Sequence, residues 1–229
     1  MNLIILLVSV LYLIGLGVLL WVTRYKRRAY ARAKGALSCL FVVASLLAFW
    51  LGSPVVFSGF WLLLVALVLC MAGDILLGLA NRTKVPRAKP FAGGAASFLL
   101  AHVFFCLLLY QGAPLHPVDF ILPALLVLAL FLLGKADAVR LKKMWLMGYV
   151  YTFTVGLMAC KAVQVAIKVW PALPFASALL ALGAILFLIS DIILLFLYFG
   201  TIRHKWMRYA NLSTYYVGIY LIALTAYWM

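Results

Sequence analysis

Apolar runs about as long as a bilayer crossing follow one another along almost the whole chain, separated by short segments where the charged residues collect. About 20 residues of helix at 1.5 Å per residue cover the roughly 30 Å hydrocarbon core of a membrane. The pattern predicts eight helices, over roughly 3–22, 36–52, 55–80, 91–111, 119–134, 145–167, 173–199 and 210–228. The first run has no basic segment before it and no small-residue cleavage site, and it leads directly into TRYKRRAYARAK. We therefore expect a retained helix rather than a cleaved signal peptide.

Composition agrees with the pattern. Hydrophobic residues make up 69% of the chain, charged residues 10%, and mean hydropathy is +1.22. These values exclude a soluble globular domain and leave an all-α polytopic membrane protein, residues 1–229 forming one integral-membrane domain. Lysine and arginine are distributed unevenly: residues 23–34 carry six, 81–90 four, 134–144 four and 200–209 three, which is 17 of the 19. In an eight-helix chain all four segments fall on one side. The positive-inside rule then places them in the cytoplasm and both termini outside, as in a bacterial inner-membrane protein. The formal charge of +15 lies in short loops at helix ends, where anionic headgroups meet it, so the expected partner is membrane lipid and not nucleic acid. Trp21, Trp145 and Trp206 near inner helix ends and Trp50, Trp170 and Trp228 near outer ones fit an interfacial belt. Cys39, Cys70, Cys106 and Cys160 lie in apolar segments without metal-ligand spacing, which indicates neither a disulfide framework nor a metal site.

The chain has four acidic residues, all aspartates, and two of them interrupt apolar helices: Asp74 in MAGDILLGL and Asp191 in LISDIILLF. An ionised carboxylate in the bilayer costs several kcal/mol, so an intramembrane acid ordinarily faces a cavity and has a function. Asp74 and Asp191 are the catalytic candidates. They share the pattern Asp-Ile-x-Leu and are 117 residues apart. The same shift places the first helix on the fifth, the second on the sixth and the third on the seventh. This suggests an internal repeat of two four-helix halves, 1–117 and 118–229, of like orientation, with the site between them. Helical rise from the nearest cytoplasmic cation puts Asp74, Asp191, His102, Tyr151 and Tyr215 in a common depth band of roughly 10–20 Å. Gly73 and the run Gly93-Gly94-Ala95-Ala96 permit close helix approach, as do Gly183 and Ala184 in the second half.

At these residues the chain resembles the YhhN-like family of membrane proteins, whose animal members are lysoplasmalogenases. The likeness is carried by Lys34, Gly73-Asp74, Phe91, the string Ser97-Phe98-Leu99-Leu100-Ala101-His102, Tyr151 with Met158, Gly183-Ala184-Ile185-Leu186-Phe187-Leu188-Ile189-Ser190-Asp191, and Thr214-Tyr215-Tyr216. Phe105, where a tyrosine is common, and Ile219, where a glutamine often follows the tyrosine pair, depart from the family pattern. The resemblance implies hydrolysis of the vinyl-ether bond of a lysophospholipid-type substrate, a lysoplasmalogen, to a fatty aldehyde and a glycerophospho-alcohol, without metal or organic cofactor. Protonating the β-carbon of a vinyl ether leaves an oxocarbenium ion that water captures, so the reaction needs a proton donor and a negative charge, which two carboxylates can supply.

Supporting roles fall to other polar residues. His102 would orient water, relay a proton, hold phosphate or donate a hydrogen bond between helices. Tyr151, Tyr215 and Tyr216 would hydrogen-bond carboxylates or substrate, or pack. Ser190 lacks a nucleophile-elbow setting and should support its neighbour. Lys34 would grip a phosphate or, the reading we favour, snorkel to the interface; Lys161 would snorkel outward or line a cavity. Asp119 and Asp137, at or beyond helix ends, read as solvated loop residues. The same buried acids and parallel repeat suit a small proton-coupled transporter, and a purely structural membrane partner would tolerate asparagine at both positions.

Overall fold

In the computed structural model residues 2–25, 29–52, 59–81, 87–202 and 204–229 are described. Among the described residues eight α-helices form: α1 Leu3–Tyr25, α2 Tyr30–Leu51, α3 Phe60–Ala80, α4 Ala88–Gly112, α5 Ile121–Lys135, α6 Trp145–Val169, α7 Pro174–Phe199 and α8 Lys205–Leu224. Single 3-10 turns at Pro117–Phe120 and Lys142–Met144 lead into α5 and α6, and another at Thr225–Trp228 follows α8. Among the described residues extended pairing is limited to one isolated bridge between Val139 and Gly200. The all-helical architecture expected from the hydrophobic pattern is the one observed.

Seven of these segments are long and apolar enough to cross a membrane, which makes the chain an integral membrane protein. The eighth, α8, carries Asn211, Thr214 and several tyrosines. Its Tyr215, Tyr216, Ile219 and Ala223 are buried, so α8 presents its polar groups to protein and its sequence reads as less apolar than a lipid-facing helix. At the other extreme α1 exposes Leu3, Leu7, Leu11, Ile14 and Val18, as a lipid-facing helix does. Trp21, Trp50, Trp145, Trp170 and Trp206 are all more than half exposed or nearly so, consistent with anchoring at the interface.

Helix boundaries differ from the hydrophobic pattern where basic residues continue a helix. Helix α2 starts at Tyr30 and not near 36, because Tyr-Ala-Arg-Ala-Lys has nothing that breaks a helix, and α8 likewise starts at Lys205. Lys34 therefore sits within a helix. The expected start of the third helix at 55 lies outside the described residues, and α3 itself begins at Phe60.

The chain divides into two compact units, Met1–Leu108 with Ile222–Met229, and Leu109–Leu221. In the first, α1 packs on α2 and α2 on α3, and the turn at Thr225–Trp228 returns to α2. Its core includes Leu19, Leu37, Phe41, Leu63, Leu67 and Cys70, all essentially without solvent contact. In the second, α5 packs on α6 and α6 on α7, around Leu130, Met158, Val165 and Phe187.

Candidate functional site

In the first unit the site is built on α2, α3 and α4. Lys34 and Ser38 are four residues apart and so share one face of α2, and both meet Asp74 on α3. The Lys34 ammonium Nζ lies 2.9 Å from Asp74 Oδ1, with the two side chains 7% and 0% exposed. Ser38 Oγ donates to Asp74 Oδ2 at 2.6 Å. That hydroxyl also lies 2.9 Å from the Lys34 carbonyl. It has one proton to give, and the shorter bond to the charged acceptor is the stronger. Both carboxylate oxygens of Asp74 are thus engaged by donors from α2.

Gly73 sets how closely α4 approaches α3 next to Asp74. A Cβ at position 73 would stand 2.7 Å from two carbons of the Phe98 ring, and one at Gly94 would stand 3.2 Å from the Gly73 carbonyl oxygen. Glycine at 73 and 94 therefore lets α3 and α4 pack backbone to backbone beside Asp74. One turn beyond Phe98, His102 is fully buried, and its Nδ1 lies 2.6 Å from the Phe98 carbonyl. A carbonyl oxygen only accepts, so Nδ1 is the donor in this contact.

In the second unit the carboxylate is Asp191 on α7, 9% exposed. Tyr151 on α6 donates its hydroxyl to Asp191 Oδ2 at 3.1 Å. Beside it, Ser190 is clasped by Asn211 of α8, whose Nδ2 donates to the Ser190 carbonyl and Oγ, each at 2.9 Å. Tyr215 stands edge-on to Phe187 at 5.3 Å and to Tyr216 at 4.8 Å, so the tyrosine pair contributes to an aromatic cluster under the α7–α8 contact. A Cβ at Gly218 would stand 2.8 Å from the Gly183 carbonyl, so glycine at 218 lets α8 approach the α7 backbone there.

The residues singled out from sequence therefore form two groups: Lys34, Asp74 and His102 on the helices of one unit, and Tyr151, Ser190, Asp191, Tyr215 and Tyr216 on those of the other. Sequence reasoning missed Ser38 and Asn211. Ser38 had a signal, since it lies one turn from Lys34 on the same face.

Two expectations are corrected. Lys34 does not snorkel: it is 6% exposed and paired with Asp74. Asp119 is not a solvated loop residue, because it is fully buried and its Oδ2 accepts from Lys161 Nζ at 2.9 Å and from the His116 backbone N–H at 2.9 Å. The same contact resolves Lys161, which also donates to the Pro114 carbonyl at 2.5 Å and to Gln164 Oε1 at 3.3 Å, with its Nζ 4.7 Å from the Tyr110 ring centre. This cation is a structural clasp on the segment between α4 and α5. Asp137, in contrast, is exposed as expected, and the Arg140 guanidinium hydrogen-bonded to it holds its carboxyl below the usual carboxylate range.

The YhhN family model matches residues 33–226, a range that contains every candidate residue above. No curated protein and no solved structure shows significant similarity to the chain.

Proposed function

The chain belongs to the YhhN family, and from that premise we propose that it is an intramembrane hydrolase that opens the vinyl-ether bond of lysoplasmalogens. The observation that carries the reading is the pair of aspartates inside membrane helices, Asp74 and Asp191, each buried and each met by a donor from the helix beside it. Buried acids held in fixed hydrogen bonds are expensive to keep in a membrane and suit proton chemistry shielded from bulk water.

The reaction asks for little else. A protonated carboxyl delivers its proton to the β-carbon of the vinyl ether, and the ether oxygen takes up the positive charge as an oxocarbenium ion. A carboxylate stabilises that cation while water adds to it. The resulting hemiacetal collapses to the fatty aldehyde and the glycerophospho-alcohol. His102, Ser190, Tyr215 and Tyr216 support these groups. We place both termini outside and the basic loops in the cytoplasm of a bacterial inner membrane, on the strength of the 17-to-2 distribution of cations.

The test is aldehyde release from a lysoplasmalogen by the purified protein in detergent. A hydrolase turns over without a sealed compartment. A proton-coupled carrier would release no aldehyde and would move substrate only in sealed proteoliposomes.

A further inference from the structure

Both carboxylates are held in the same way. Adding 117 to the limits of α2, α3 and α4 gives 147–168, 177–197 and 205–229, which match α6, α7 and α8 with its terminal turn to within a few residues. The shift was set by the two aspartates alone, yet it carries their donors along. Lys34 lies 40 residues before Asp74 and Tyr151 lies 40 before Asp191, so 34 and 151 are one position in the repeat. The contact on the other side of the third helix repeats as well. Gly94 faces the backbone carbonyl of Gly73, and its counterpart Asn211 hydrogen-bonds the carbonyl of Ser190, the counterpart of Gly73. Two coincident contacts within separate units, on top of matching helix limits, are more than a chance alignment of apolar helices supplies.

What differs is the donor. We propose that Lys34 and Tyr151 are the positioning residues of duplicated half-sites, and that the donor at this position divides the work: Lys34 holds Asp74 as a fixed anion and Tyr151 lets Asp191 move the proton. This assignment rests on the hydrolase reading. The Lys34 ammonium at 2.9 Å and the Asp74 carboxylate form a buried pair of opposite charges, in which removing either charge leaves the other uncompensated. A phenol hydroxyl carries no charge and donates equally well to an ionised or a protonated carboxyl group. Groups facing Asp74 from α2 are Lys34 and Ser38; Asp191 is faced by Tyr151 from α6, with Asn211 of α8 on the adjoining Ser190.

The cycle balances with one moving proton at a time. Asp191 gives its proton to the β-carbon as the vinyl π pair forms the new C–H bond, and an ether-oxygen lone pair closes the oxocarbenium ion. Water adds to the oxygen-bearing carbon of that ion and returns a proton to Asp191. Asp191 then protonates the departing oxygen as the C–O bond breaks, and its carboxylate takes the proton of the hemiacetal hydroxyl as the aldehyde carbonyl forms. The sum is substrate plus water giving aldehyde plus alcohol, with Asp74 ionised throughout.

The test uses the full chain in detergent, with kcat and KM measured against pH and melting temperatures measured beside them. Tyr151→Phe should lower kcat about 10²-fold, the cost of a misplaced reacting group, move a limb of its pH profile and leave KM nearly unchanged. Lys34→Arg should keep the wild-type profile while Lys34→Met changes it. Lys34→Met with Asp74→Asn together should melt above Lys34→Met alone, since the double variant buries no unpaired charge. Should Lys34→Met fail to fold, Tyr151→Lys decides: placing the first half's donor in the second fixes Asp191 as an anion and abolishes turnover in a folded protein. Retained turnover in Tyr151→Lys, unmoved pH profiles in Lys34→Met and Tyr151→Phe, or a double variant no more stable than Lys34→Met would each overturn the proposal. A wild-type protein that releases no aldehyde removes the hydrolase reading and the division of labour with it, while the melting temperatures still decide whether Lys34 holds Asp74 ionised.

Discussion

Lys161→Met should be among the most damaging substitutions outside the candidate site. Its ammonium and the Asp119 carboxylate are 2.9 Å apart with both side chains 0% exposed. Removing one partner of such a pair strands the other charge and costs about 3–5 kcal/mol. For a chain of this length each kcal/mol moves the melting temperature by about 2–4 °C, so the expected fall is about 6–20 °C. Asp119→Asn should cost less, because the ammonium keeps the Pro114 carbonyl at 2.5 Å, Gln164 at 3.3 Å and the Tyr110 ring. Combining the two removes both charges and leaves mainly the Pro114 carbonyl without its donor, a loss of about 1–3 kcal/mol. The double variant should therefore melt above Lys161→Met. The assay is thermal unfolding of the detergent-purified variants at one scan rate. If Lys161→Met melts within about 3 °C of wild type, a loss of about 1 kcal/mol or less, or if the two single losses simply add, the clasp does not hold the segment between α4 and α5.

Two further outcomes follow from the packing and the charge distribution. Gly73→Ala would ordinarily gain up to about 1 kcal/mol from helix propensity, but its Cβ would stand 2.7 Å from the buried Phe98 ring. Overpacking should win by about 1–3 kcal/mol, and Phe98→Leu should restore the melting temperature in the same protein. In a background without native cysteines, Asp137→Cys should resist a membrane-impermeant thiol reagent in intact cells and His116→Cys should react; the opposite pattern would reverse the topology.

The helices were legible because a bilayer imposes one demand, an apolar run of fixed length, which hydropathy reports directly. The boundary of α2 was not, since a basic run reads as loop until a buried partner is known for one of its cations. Lys34 finds that partner 40 residues away on another helix, and no local pattern announces such a contact. Asp119 was misread for the same reason. It lies in a 3-10 turn, ordinarily solvated, and only its pairing with Lys161, 42 residues on, makes burial tolerable. Asp74 and Asp191 were found easily because a charge within an apolar run stands out whatever its partner. Their donors became recognisable as one repeated position once the contacts were known, although the 117-residue spacing was already visible in Asp-Ile-x-Leu.

The most direct test of the account is the rate of aldehyde release from a lysoplasmalogen by the wild-type protein and by Asp74→Asn and Asp191→Asn, measured in detergent beside their melting temperatures. Asparagine keeps the shape of aspartate but can neither deliver a proton nor hold negative charge next to an oxocarbenium ion. Both variants should stay folded and lose about 10²–10⁴-fold or more of the wild-type rate. Near-native turnover in either folded variant, or no aldehyde from the wild type, would contradict the account.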